Sequence, residues 1–404
     1  MKTLLILGDN THSDSLIRLA KGNGIYTIIT DNKSPEESDS KLIADEYWDI
    51  SVTDIDMLEK MARKANVTAV LCGASELCFR TTRDLCKRLD LTFWINDKAW
   101  DYSNDKRKFK ELCKSCGLPV AKDFELDNHF KKQDLEKIEY PVVVKPVDGC
   151  SSLGMHVCSN EEELLLGYKD ALSNSIAKKV VVEKYYSGIE IGLIYFFKDG
   201  KAHFFNSVDF RGYRLEAHPM IFGLGPTNYD RHFEEEWKPQ IDELFLKLEC
   251  KNGVGFIQIL TDGKDAAVME MNYRLPGGHL IDDCYLHKYM LDCAFGEEDF
   301  DSIKAYVPNP KQSFRYFVWL KPGTISNIEG VNEIKSKLDV ISFKNARKKG
   351  DTVCENTGMK QIFVELVVAS EIDRIPSCVG FINDTLKVTD ANGNDMVCRY
   401  DFIG

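Results

Sequence analysis

Gly255-Phe256-Ile257-Gln258-Ile259-Leu260-Thr261-Asp262-Gly263-Lys264-Asp265-Ala266-Ala267-Val268-Met269-Glu270-Met271-Asn272-Tyr273-Arg274 reads as two strands around a tight turn. Side chains alternate along a strand, so Glu270, Asn272 and Arg274 share one face while Met269 and Met271 take the other. With the turn near Lys264, Gln258 falls opposite Glu270, and cross-strand β-carbons lie roughly 4.5 to 5.5 Å apart. Gln258, Glu270 and Asn272 then bring three oxygen-bearing side chains to one spot. Such a set suits Mg2+, which takes oxygen ligands and completes its shell with water and substrate phosphates. A half-buried polar strand face without a metal is the other reading of the same residues.

Two upstream stretches extend the pattern. Pro141-Val-Val-Val-Lys145-Pro-Val-Asp-Gly149-Cys-Ser151-Ser152-Leu-Gly154-Met155 delivers one lysine from a buried strand into a loop of small residues. Backbone N–H groups of such a loop close over phosphate oxygens and the lysine adds a fixed positive charge; an ordinary strand end is the alternative. Val180-Val-Val-Glu183-Lys184-Tyr185-Tyr186-Ser-Gly188-Ile-Glu190 reads as a strand breaking into a linker that carries two acids. Extended linker backbone can read an adenine edge, and a carboxylate can accept ribose hydroxyls.

A chain of 404 residues exceeds what one hydrophobic core serves. Residues 1–102 alternate short apolar runs with amphipathic segments, placing strands at Thr3–Leu7, Tyr26–Thr30, Tyr47–Ile50, Ala69–Cys72 and Thr92–Trp94, the rhythm of a parallel α/β unit. Gly8-Asp9-Asn10-Thr11-His12-Ser13 lacks the glycines of a dinucleotide turn, which removes the main support for an NAD enzyme, and Asp31 reads equally as a ribose acid or a turn residue. A lysine-rich helix starts near Lys106, and the end of the chain is rich in short strands such as Phe314–Leu320 and Ile362–Val368. The net charge of −12 argues against a phosphate-backbone binder, so nucleic acid is not an expected partner. No apolar run approaches the roughly 20 residues of a membrane span. The start at Met1 has no signal-peptide core, which sets the expectation of a cytoplasmic protein with its 13 cysteines reduced. Cys113 and Cys116 lack the second pair that a zinc site needs.

In this order and spacing the three stretches resemble the ATP-grasp superfamily over roughly residues 1–300. The resemblance implies a mixed α/β fold with a Rossmann-like pre-ATP-grasp domain (1–102), an ATP-grasp domain (103–304, its mobile lid about 122–185) and a C-terminal β-rich domain (305–404). It implies that Lys106 and Lys145 bind phosphates, that Gly149, Ser151, Ser152 and Gly154 form the lid loop, and that Val143, Met155, Leu260 and Met269 pack the adenine. Glu183, Lys184, Tyr185 and Tyr186 match the adenine-reading linker, and Glu190 the ribose acid. Gln258, Glu270 and Asn272 match the metal ligands, Gln258 standing where many members have an acid, while Arg274 matches the arginine near the transferred phosphoryl group, catalytic with Lys145.

The implied cofactors are ATP and one or two Mg2+ ions, with Mn2+ as an alternative. Arg274-Leu-Pro-Gly277-Gly278-His279 is similar to the turn of the L-amino-acid ligase and carnosine-synthase-like branch. That branch activates a carboxylate as an acyl phosphate and joins it to an amine; Gly277, Gly278 and His279, with Arg211, Arg214 and His218, are its candidate substrate residues here. A phosphoribosylglycinamide-synthetase type and a carbamoyl-phosphate-synthetase or biotin-carboxylase type are the alternatives. The implied partners are a small carboxylate and an amine, with a homodimer left open.

Overall fold

In the computed structural model, residues 1–10, 12–147, 154–186, 188–211, 214–215, 218–219, 222–225, 228–261, 265–277, 283–297, 312–354 and 361–399 are described. The chain begins with a parallel sheet whose strands run in the order Glu46–Trp48, Tyr26–Thr30, Thr3–Leu7, Ala69–Cys72. Thr3–Leu7 is buried at every position, as a strand covered by helices on both faces must be. Thr92–Trp94 is not a strand, contrary to the sequence expectation. Its aromatics serve packing instead: Phe79 lies 5.8 Å from Phe93 and 6.2 Å from Trp94, ring centre to ring centre. A β-carbon on Gly253, where φ is +106°, would come within 2.4 Å of the Trp94 ring. Glycine is therefore required where this unit docks on the central sheet.

The helix Lys106–Ser115 follows, capped by Asp105, whose side chain accepts from the amides of Arg107 and Lys108. Phe109 and Cys113 are buried on one stripe. Lys106, Lys110 and Lys114, each four residues on from the last, line another.

A small antiparallel sheet comes next, in the order Asp123–Phe124, Val180–Lys184, Val142–Pro146, His156–Cys158. The helix Glu161–Asn174 packs on it, closing a separate apolar core around Val142, Val144, Leu164 and Val182. A second antiparallel sheet of nine described strands then runs from Ala266–Asn272 through Gly253–Thr261, Ile189–Lys198, Lys201–Arg211, Phe222–Gly225 and Gln312–Leu320 to Ile362–Ser370 and Asp339–Asn345, with Val397–Cys398 also pairing on Gln312–Leu320. One core joins its first strands to the parallel unit, from Leu4 to Ala294, and another gathers residues Phe314 to Val397. Among the described residues no helix is long and apolar enough to cross a membrane.

Candidate active site

The hairpin Gly253–Thr261 and Ala266–Asn272 places Gln258 opposite Glu270 and Phe256 opposite Asn272; residues 262–264 of its turn lie outside the described residues. The register shifts between Gln258 and Ile259, so that Met269 is an extra residue on its strand. Simple alternation put Met269 with Met271, and the bulge corrects this. Met271 is buried in the core, whereas Met269 is half-buried and lines a cleft.

Around Glu270 the polar groups form a chain. Gln258 Nε2 donates to Glu190 Oε1, while Asn272 Nδ2 lies 3.3 Å from both Gln258 Oε1 and Glu270 Oε1. Lys106 Nζ closes the chain at 3.0 Å from Glu270 Oε2. Burial pushes the Glu270 carboxyl up, but the Lys106 ammonium more than offsets it, leaving Glu270 below the usual carboxylate range. Among the described residues no three His, Cys, Asp or Glu side chains gather as metal ligands. The oxygens available here are one or two carboxylates and two amides. That set fits Mg2+ whose remaining positions go to phosphates and water, and it does not resemble a dedicated all-protein cage. Asn272 would present its oxygen to such an ion once its amide is turned over, and the hydrogen-bond network alone assigns that orientation.

Glu183 and Glu190 were expected in a linker; both stand on strands. Glu183 is the fourth residue of Val180–Lys184, opposite Val143 and Asp123 in register, and Glu190 is the second of Ile189–Lys198. The ladder therefore turns the Glu183 side chain toward lysines. Its carboxylate lies 2.5 Å from Lys145 Nζ and 2.8 Å from Lys110 Nζ. Burial raises the Glu183 carboxyl, Lys145 and Lys110 lower it, and the lysines prevail. At the strand end Lys184 N donates to Lys122 O, and in the linker Tyr185 N donates to Pro141 O, so Tyr186 is the next amide along. Tyr185 and Tyr186 are half-buried and Lys184 is exposed, its ammonium 5.5 Å from the Tyr186 ring centre.

Lys106, Lys110, Lys145, Glu183, Val268 and Met269 border a cleft of about 610 Å³ between the lysine helix, the small sheet and the hairpin. That size accommodates a small organic ligand. Gly154 sits at the near end of the loop with φ +70°, where a β-carbon would lie 2.9 Å from Asn174 Cβ and 3.1 Å from Pro146 Cγ. Val143, Met155 and Leu260 are half-buried and do not border that cleft. Gly149, Ser151, Ser152, Gly278 and His279 lie outside the described residues, as do the side chains of Arg211, Arg214 and His218.

Arg274 lies past the strand end. Its guanidinium stands 5.6 Å over the Phe256 ring, and its Nε is 3.3 Å from Glu76 Oε2. Glu76 opens the helix Glu76–Leu89 after the strand Ala69–Cys72, at the point where the parallel sheet's strand order reverses and α/β sheets place ligands. From the far side, Arg315 pairs with Glu365 at 2.7 Å and donates to the Gly277 carbonyl. Lys110, Glu76 and Arg315 escaped sequence reasoning. Lys110 had a signal, its spacing of four from Lys106; Glu76 and Arg315 are assembled only in space.

Residues 112–212 match the family model described as D-ala D-ala ligase C-terminus. The chain is 26% identical over 206 residues to the 2-oxoglutarate carboxylase small subunit of Hydrogenobacter thermophilus, covering 46% of this chain and 42% of that one. It spans under half the length of that protein and of the next curated relatives it matches. Its fold is similar to the crystal structure of L-amino acid ligase from Bacillus licheniformis, with a TM-score of 0.78 at 15% identity over 97% of this chain and 99% of that one. It is also similar to the biotin carboxylase domain of the Hydrogenobacter thermophilus enzyme in complex with MgADP and bicarbonate, with a TM-score of 0.74 at 18% identity over 98% and 91%.

Proposed function

This chain has the ATP-grasp fold, and from that premise we propose that it is an ATP- and Mg2+-dependent ligase. It activates a carboxylate as an acyl phosphate and joins it to an amine, an amino acid to an amino acid in the narrowest form of the reading. The observation that carries this is Lys106, which borders the cleft together with Lys145 and reaches, at 3.0 Å, the Glu270 of the Gln258–Glu270–Asn272 cluster.

Lys106 and Lys145 each hold a carboxylate within 3.0 Å and are placed to exchange it for phosphate oxygens. Glu270, Asn272 and Gln258 would hold Mg2+, which neutralises charge on the phosphates and on the oxygens in transit. Arg274, fixed by Phe256 and Glu76, is set to stabilise charge on the migrating phosphoryl group. The Tyr186 amide is the adenine reader in this scheme, and Glu190 the ribose acceptor. The carboxylate oxygen attacks the γ-phosphorus and ADP leaves. The amine nitrogen then attacks the acyl carbon, phosphate leaves and the nitrogen loses a proton. The loop ending at Gly154 excludes water from the acyl phosphate, which water would destroy. The units that do this are proposed to be residues 1–102, 103–304 with a lid at about 122–185, and 305–404.

Phosphate release from Mg·ATP, screened over pairs of amino acids and followed by mass spectrometry of the products, tests the reading. The expected result is one ADP and one phosphate per amide, with release requiring both substrates. ATP turnover indifferent to any acceptor, or no nucleotide binding at all, overturns it.

A further inference from the structure

Lys110 belongs to none of the motifs that the ligase reading uses, yet its ammonium is among the best enclosed in the cleft, with a side chain 11% exposed. The helix Lys106–Ser115 hands its lysines to different elements. Lys106 goes to Glu270 of the hairpin at 3.0 Å, Lys110 to Glu183 of the small sheet at 2.8 Å and also to Asp123, and Lys114 to Asp123 at 3.4 Å. Glu183, with a side chain 9% exposed, thereby carries two cations, one per oxygen: Lys110 on Oε1 and Lys145 on Oε2. A single buried carboxylate needs only one.

We propose that Lys110 is a positioning residue for nucleotide binding, remaining on the buried Glu183 carboxylate as its counter-cation so that Lys145 can leave it for the nucleotide's phosphates. The inference rests on the ATP reading and adds a residue to it. Charge decides the argument. Once Lys145 turns to phosphate, the groups facing Glu183 are Lys110 and Lys114 from the helix and Asp123 from the neighbouring strand, with Val143 opposite on the other side. Lys106 is already engaged by Glu270, and among the described residues Lys114 pairs with Asp123 and not with Glu183. Without Lys110, Glu183 either keeps Lys145 from the phosphates or takes up a proton, because an uncompensated buried carboxylate is strongly disfavoured. Its present depression below the usual carboxylate range, driven by Lys145 and then Lys110 against burial, agrees with this.

The sign follows from linkage. In a chain lacking the Lys110 charge, nucleotide binding is coupled to protonation of Glu183, so affinity falls as pH rises, by up to about tenfold per pH unit. Calorimetric titration of the full chain with a non-hydrolysable Mg·ATP analogue, in buffers of different protonation enthalpy between about pH 6 and pH 8, reads both quantities. Lys110→Met is expected to bind at least about tenfold more weakly at the upper pH and to take up close to one proton more per nucleotide than the wild type. Lys110→Gln keeps a hydrogen-bond donor but no charge and is expected to behave the same, which guards against a folding defect in the first variant. Lys110→Arg is expected to restore wild-type affinity and proton count. If the wild type binds the analogue and the uncharged variants match it in affinity and in protons, the role of Lys110 is refuted while the ATP reading stands. If the wild type fails to bind, the ATP reading itself falls and this inference with it.

Discussion

Gln258 uses its two amide ends in opposite directions, Nε2 toward Glu190 and Oε1 toward Asn272. Glutamate at this position would set a second carboxylate against Glu190 and opposite Glu270, whose counter-cation is Lys106. Gln258→Glu is therefore expected to lower the melting temperature in the absence of metal, by the equivalent of about 1 to 2 kcal/mol, and to recover it with Mg2+ and nucleotide. Thermal melts with and without Mg2+ check this, and equal destabilisation in both would show that the site holds no cation. Arg274 makes a different kind of contribution. A planar guanidinium held by Phe256 and Glu76 cannot be replaced by a point charge, so Arg274→Lys is expected to lose about a hundredfold in turnover while nucleotide affinity barely moves. ADP formation at saturating substrate beside a separate binding titration makes the comparison; weakened binding with normal saturated turnover would reassign Arg274 to binding.

At the scale of elements, the small sheet with its helix owns its core, and its Asp123 and Glu183 pair with Lys110 and Lys114 of the lysine helix. Gly154 ties its loop end to that core, since a β-carbon there meets Asn174 and Pro146 on a backbone with φ +70°. Gly154→Ala is expected to destabilise this subdomain by roughly 1 to 3 kcal/mol. Hydrogen exchange should then quicken across Val142–Pro146 and Glu161–Asn174 and stay unchanged in Thr3–Leu7, a contrast that a global loss of stability would erase. The bulge at Met269 is a second device of this kind, re-aiming one side chain into the cleft while Gln258 stays opposite Glu270.

Across the whole molecule, the first α/β unit is joined to the hairpin by more than apolar packing. The Pro276 carbonyl can only accept, so His12 Nε2 carries the proton across their 2.8 Å contact, and His12 Nδ1 accepts from His287 Nε2 at 2.9 Å. Both rings are buried, and the exit of the hairpin is thereby held to the parallel unit. The small sheet has its own core and meets the lysine helix through ion pairs, and it is the body proposed to move. Mg·nucleotide is expected to draw it inward, a closure that small-angle scattering reads as a smaller radius of gyration in the wild type and not in Lys145→Met. An unchanged radius in a wild type that demonstrably binds nucleotide would refute closure.

Alternation is local, so the sequence by itself determined the parallel strands of the first unit and the hairpin; the pairing of Gln258 with Glu270, counted from a turn near Lys264, is reached in the structure through the bulge at Met269. Counting failed where a distant surface intervened. Thr92–Trp94 has strand composition but is taken up by Phe79 and by the close approach of Gly253, and Met269 departs from its alternation at a bulge. The charges were decided only by the tertiary structure. No spacing announces that Glu183 would hold both Lys110 and Lys145, that Lys106 would reach Glu270, or that Arg274 would meet Glu76 from 198 residues away. An ion pair depends on which elements are brought within a few ångströms and how deeply they are buried, and the packing of three separate sheets supplies that information.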